Sequence, residues 1–150
     1  MDFSIVKKYN LASLERRGAI AHILPGKRIV KAFVLGNMVS VSWLDNGCVL
    51  SEKRIETRIT EMTLLGSFSD GVCHVFDMTS LNNKKMTDPW PTRLSRMEDV
   101  ISFGSDDLKK MIIVAKKKDS GLLTLFKEHD GMFIVREVGS KTVNLCVTGE

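Results

Sequence analysis

The chain is short of the residues that build small metal or catalytic centres. Three cysteines and three histidines are spread over 150 residues. There is no Cys-x-x-Cys and no paired histidine spacing, so neither a zinc site nor a disulfide framework is expected of Cys48, Cys73 and Cys146. They read as inert, buried thiols. Long hydrophobic runs are missing too. The longest, "AFVLGNMVSVSWL", is broken by Gly, Asn and Ser and falls short of the roughly 20 apolar residues a membrane-crossing helix needs. The opening "MDFSIVKKYNLASLERRG" lacks the apolar stretch and small-residue cleavage site of a secretory signal, so a cytoplasmic or nuclear location with reduced thiols is expected. No glycine-rich phosphate loop, dinucleotide fingerprint or His/Glu metallohydrolase spacing is present. The turns "DNG", "SDG" and "DGMF" offer too few oxygens for calcium. Cys73 and His74 are adjacent, but on a strand they face opposite ways and cannot share a proton. The expectation is therefore a protein that is not an enzyme and holds no metal or cofactor.

What the chain does have is the make-up of a folded domain, 43% hydrophobic and 27% charged. Its length suits one domain spanning residues 1–150. Glycine-bearing interruptions separate runs rich in β-branched and aromatic residues, the pattern of antiparallel strands joined by tight turns. In the C-terminal part, "KMIIVAKKK", "LLTLFKEH", "MFIVREV" and "TVNLCVTG" read as four sequential strands, the last half-buried, with Val143, Leu145 and Val147 alternating against Thr142, Asn144 and Thr148. In the first part "AIAHIL", "RIVKAFVLG" and "MVSVSWLD" are strands. Val39, Val41 and Trp43 alternate strictly against Ser40 and Ser42. "RIETRITEMTLL" is read as extended because of its threonines, and "GVCHVFDM" as a further strand. "NNKKMTDPWP" is expected to be a surface loop. A helix follows in "PTRLSRMEDVISFG", with Leu94, Met97 and Ile101 on one face, Thr92 or Ser95 as its cap and Gly104 as its end. A shorter one is expected in "NLASLERRG", between Asn10 and Gly18. The fold class expected is α+β and β-rich: two antiparallel β-meanders, forming a sandwich or a partly closed barrel, with one or two short helices.

Two stretches resemble known families. "LLTLFKEHDGMFIVREVGSKTVNLCV" is similar to the Src-homology-2 pattern of an acid-glycine turn, an apolar pair and Val-Arg-Glu, which implies a phosphate-binding role for Arg136. The segment before it reads as a strand where that family has a helix, so Arg136 is read here as a solvated or cross-strand charge on an ordinary strand. "LLGSFSDGVCHVFDMTS" looks like the end of a blade in tryptophan-aspartate repeat propellers, with Phe76 and Asp77 in place of Trp-Asp and "VSVSWLDNG" as an inner strand. The resemblance implies a blade-like sheet.

Function is sought in the charges. There are 22 Lys and Arg against 18 Asp and Glu, a net charge of +4 and a pI near 9.0. The cations cluster: Lys27, Arg28 and Lys31; Lys53, Arg54 and Arg58; Lys84 and Lys85; Lys109 and Lys110; Lys116, Lys117 and Lys118. A surface gathering such sets attracts phosphate. The expected function is an interaction or scaffold protein that binds nucleic acid, an anionic membrane surface or protein partners and self-associates into a homo-oligomer. Trp90, between two prolines, is expected to anchor a partner or to fold back over the core. The alternative is a carrier of a small apolar ligand in a β-barrel lined by Val41, Trp43 and Ile134.

Overall fold

The structure is a computed structural model and describes residues 3–118, 121–137 and 143–148. In chain order the elements are β1 (Phe3–Ile5), α1 (Leu11–Arg16), β2 (Ile20–Leu24), β3 (Val30–Leu35), β4 (Met38–Trp43) and β5 (Val49–Arg54). Next come β6 (Glu61–Ser69), β7 (Val72–Leu81), β8 (Lys84–Lys85), α2 (Trp90–Ser102), α3 (Asp106–Met111) and β9 (Ile112–Val114). The chain ends in β10 (Lys117–Lys118), α4 (Leu122–Glu128), β11 (Met132–Arg136) and β12 (Val143–Val147). Residues 1–27 with 115–150 form one compact unit, and residues 28–114 form a second. The architecture is α+β and β-rich, with two sheets and four α-helices among the described residues.

The first unit is a five-stranded sheet in the order β1-β12-β11-β2-β10, mixed because β1 runs parallel to β12. On one face Leu11 and Leu14 of α1 meet Leu122 and Leu125 of α4 over Ala21, Phe133, Val135 and Cys146. Each buried leucine contributes about 1.5–3 kcal/mol of transfer free energy. The expected strand "LLTLFKEH" is therefore a helix. Leu122 and Leu125 stand three residues apart and pack on α1, and a short apolar run does not distinguish the two periods by itself. A distant group fixes the choice: Glu15 Oε1 accepts the backbone N–H of Leu122 at 3.1 Å, capping the helix from another part of the chain. A Cβ on Gly121 would lie 2.5 Å from that oxygen, so a side chain there would displace the Glu15 carboxylate from this bond.

The second unit is a sheet in the order β5-β4-β3-β6-β7-β8, antiparallel throughout, with β9 added parallel to β7. Val30, Ala32, Val34, Val39, Val41, Met62 and Leu64 share one face by register and are buried. The alternation read in β4 breaks at a bulge after Val41, where Ser42 is buried and Trp43 only half-buried, but over Val39, Ser40 and Val41 it holds. So does the face of α2, whose Leu94, Met97 and Ile101 are buried, although this helix starts at Trp90, with Pro89 rather than Thr92 or Ser95 at its N-cap. Asp77 is 1% exposed and receives a two-pronged bond from Arg93, Nε to Oδ1 at 2.9 Å and Nη2 to Oδ2 at 3.1 Å. Glu61, also buried, accepts from Ser80 Oγ at 2.5 Å and from the N–H of Asn83 at 2.6 Å. It holds the turn in which Asn82 and Asn83 both have positive φ.

Other expectations are corrected by non-local pairing. "KMIIVAKKK" is not one strand: the end of α3 runs into β9 in one sheet, and β10 belongs to the other. The C-terminal strands do not make a four-strand meander. β11 and β12 form a hairpin, and β2 and β1 from the N-terminal part complete the sheet. In β12 Val143, Asn144, Leu145 and Cys146 are all buried, so it is covered on both faces; Thr142 lies outside the described residues. In "RIETRITEMTLL" the strand ends at Arg54 and resumes at Glu61, because Thr57 turns inward to donate its hydroxyl to the carbonyl of Gly36 at 2.5 Å. The expected loop "NNKKMTDPWP" contains β8 and the first turn of α2. Among the described residues neither sheet closes into a barrel, and Val41 and Ile134, expected to line one cavity, are buried in different sheets.

Candidate functional site

The basic residues picked out in the sequence do not make one patch. Lys53 and Arg54 stand on β5, at one edge of the second unit's sheet, and Lys84 and Lys85 on β8, at the other. Five strand spacings separate these edges, about 24 Å. Lys31 is exposed on β3, and Arg58 lies in the loop before β6 with φ +63°. Arg28 is occupied: it grips Asp45 through bonds of 2.9 and 2.7 Å and stacks 4.1 Å from the Trp43 ring centre. That guanidinium holds the Asp45 carboxyl below its ordinary range. Lys109 and Lys110 sit in the last turn of α3, where its dipole favours cations. The second unit carries eleven Lys and Arg and eleven Asp and Glu, so it has no net charge.

The first unit carries eleven Lys and Arg against seven Asp and Glu, which is the whole of the chain's +4. Lys116 is exposed beside β10, and Lys117 and Lys118 form that edge strand, paired with His22 and Ala21 of β2. Lys27 is ion-paired with Asp130 at 3.2 Å. Sequence reasoning missed other members of this surface. Lys8 lies 5.7 Å from the ring centre of Phe126, and with Lys27, Lys127, Glu128 and His129 it lines a pocket of about 290 Å³. Next to Lys8, Tyr9 is 82% exposed, and Ile5 is exposed as well. The signal was present in "IVKKYN", but its weight shows only once residues 1–27 are grouped with 115–150.

Arg136 is half-buried on β11, on the face turned away from α1 and α4. A helix, α4, does precede its strand, contrary to the sequence reading. It faces Ile20 across the ladder. With Lys117 it surrounds the buried His22 with positive charge, and burial first, then these two cations, push the His22 pKa down against the opposing hydrogen bond to the carbonyl of Ala115.

Trp90 takes the second of its two expected roles. It is fully buried and donates its Nε1–H to the carbonyl of Phe76 at 2.9 Å, so its ring presents no surface to a partner. Cys73 is buried and burial pushes its thiol up to about 12, which leaves it protonated and unreactive at neutral pH. Cys146 is buried, but Cys48 is exposed, contrary to expectation, because it follows the turn after β4 and only its backbone is engaged, bonding Asn46 and Trp43. Among the described residues no group of three or more His, Cys, Asp or Glu is placed to hold a metal, and no helix is long and apolar enough to cross a membrane. No protein-family model matches the chain, and no curated protein matches it.

Proposed function

We propose that the protein is a non-enzymatic interaction or scaffold protein of the cytoplasm or nucleus, whose basic surface, carried by residues 1–27 and 115–150, engages phosphate-rich partners, RNA or an anionic membrane. Binding of protein partners and of further copies accompanies this role. The observation that carries the reading is the partition of charge, an excess of four cations in one unit and none in the other. Exposed Tyr9 and Ile5 beside Lys7 and Lys8 add apolar contact to the electrostatic attraction. Lysines on the short edge strand β10 also guard it against pairing with other sheets, so only a binding measurement separates the two roles.

The experiment is titration of the full chain with single-stranded RNA and, in a second arm, with phosphatidylserine-containing vesicles, each over a range of salt. Contact with ~four RNA phosphates gives a fall on the order of fiftyfold in affinity between about 50 and 200 mM salt. Replacing Lys116, Lys117 and Lys118 by Gln is expected to weaken binding in whichever arm is real, and replacing Lys84 and Lys85 to leave it unchanged. Absence of binding at low salt in both arms would overturn the proposal.

A further inference from the structure

Among the described residues, three of the four sheet edges are formed by short strands. β8 and β10 are two residues long and consist of lysine, while β9, which shares the β7 edge with β8, and β1 have three residues each. The fourth, β5, is six residues long, and five of its six residues are exposed. It begins with Val49, 59% exposed, and Leu50, 37% exposed, and Leu35 is exposed two strands away on the face it shares with Met38 and Arg54. A long edge with exposed aliphatics is a template for another strand.

From these features we infer that β5 is the interface of a symmetric dimer, in which it pairs antiparallel with the same strand of a second copy. The backbone selects the residues that meet. The N–H of Ile55 bonds the carbonyl of Asn37, so residues 51, 53 and 55 point toward β4, and Glu52 and Arg54 point their N–H and C=O outward. In an antiparallel pair these outward groups bond each other. Three registers are available near the strand centre, and charge decides among them. One sets Glu52 against Glu52; another sets Arg54 against Arg54 and Glu52 against Glu56. The third places the two-fold axis at Lys53 and sets Glu52 against Arg54 of the second copy, twice. Opposite charges directly across a ladder stabilise it and like charges weaken it, so the third register is favoured. A shallow pocket of about 510 Å³ lined by Asn37, Met38, Arg54, Ile55 and Glu56 lies at the Arg54 end of this edge. The cost of this register is Lys53 facing its own copy on the other side of the sheet.

This inference concerns the second unit and does not rest on the phosphate-binding reading of the first. The test is sedimentation velocity of the full chain over a concentration series. Wild type is expected to move from monomer to dimer. Glu52→Arg and Arg54→Glu each turn two attractive pairs into two repulsive ones and are expected to raise the dimer Kd on the order of thirtyfold. The double variant Glu52→Arg/Arg54→Glu restores the pairs and is expected to return within about threefold of wild type, and Lys53→Ala to tighten the dimer several-fold. Far-UV circular dichroism confirms that each variant is folded. A wild type that stays monomeric at its highest soluble concentration overturns the inference. So does an oligomer indifferent to these changes, or a double variant no better than the singles.

Discussion

Arg93→Met tests how the second unit is held together. The substitution leaves the Asp77 carboxylate 1% exposed, with the N–H of Met78 at 2.8 Å as a remaining donor, and it also removes the bond from Arg93 Nη1 to the carbonyl of Asp88 at 2.7 Å. Stripping one partner from a buried pair costs about 3–5 kcal/mol, because the remaining charge stays desolvated without compensation. For a unit of this size that is a fall in Tm on the order of 12 °C or more. Replacing both partners by apolar residues removes the orphaned charge, so Asp77→Leu/Arg93→Met is expected within about 2 kcal/mol of wild type, the residue being the lost bond to Asp88. The assay is urea unfolding followed by tryptophan fluorescence. Trp43 and Trp90 both belong to residues 28–114, so the signal reports this unit. The reasoning is refuted if Arg93→Met costs less than about 1 kcal/mol, or if the two single changes simply add in the double variant.

His22 gives the stability a pH dependence. Its folded pKa lies below 6.5, so the unfolded chain binds the extra proton more readily; stability contributed by neutral His22 is present above 6.5 and is lost as pH falls from there through the folded value. Denaturant midpoints between pH 7 and pH 5 are expected to fall, and His22→Gln to flatten that slope. Thiol titration with a disulfide reagent is expected to find one fast-reacting cysteine, Cys48, with Cys73 and Cys146 reacting only on unfolding; a fast Cys73 would contradict its burial. Gly66→Ala is expected to cost more than about 3 kcal/mol, since its Cβ would stand 2.0 Å from the carbonyl oxygen of His74 on the paired strand and one of the two strands has to move. A thermal melt of that variant unchanged from wild type would show that the strands separate there at little cost.

Features carried by local periodicity were legible in the residues themselves. The strict alternation of Val39, Ser40, Val41 and Ser42 specifies a strand wherever it packs, and Leu94, Met97 and Ile101 specify one face of a helix. The excess of lysine and arginine was equally plain. Less legible were the basic residues that share a surface, since Lys8 and Lys127 are brought together by the fold, and the burial of Trp90, since a loop between prolines and the first turn of a helix look alike until the carbonyl of Phe76 supplies a partner for the indole.

The β-rich class, the turns and the strongest helix were thus determined by the sequence alone, because side-chain period and turn chemistry act over a few residues. Tertiary structure decided that "LLTLFKEH" is a helix, that the chain changes sheets near Ala115, that β1 and β2 join β11 and β12, and that the positive charge gathers in one unit. Those outcomes depend on groups far apart in the chain, such as Glu15 reaching Leu122. Only a folded backbone, which has already met the entropy cost of closing such long loops, brings these groups within bonding distance.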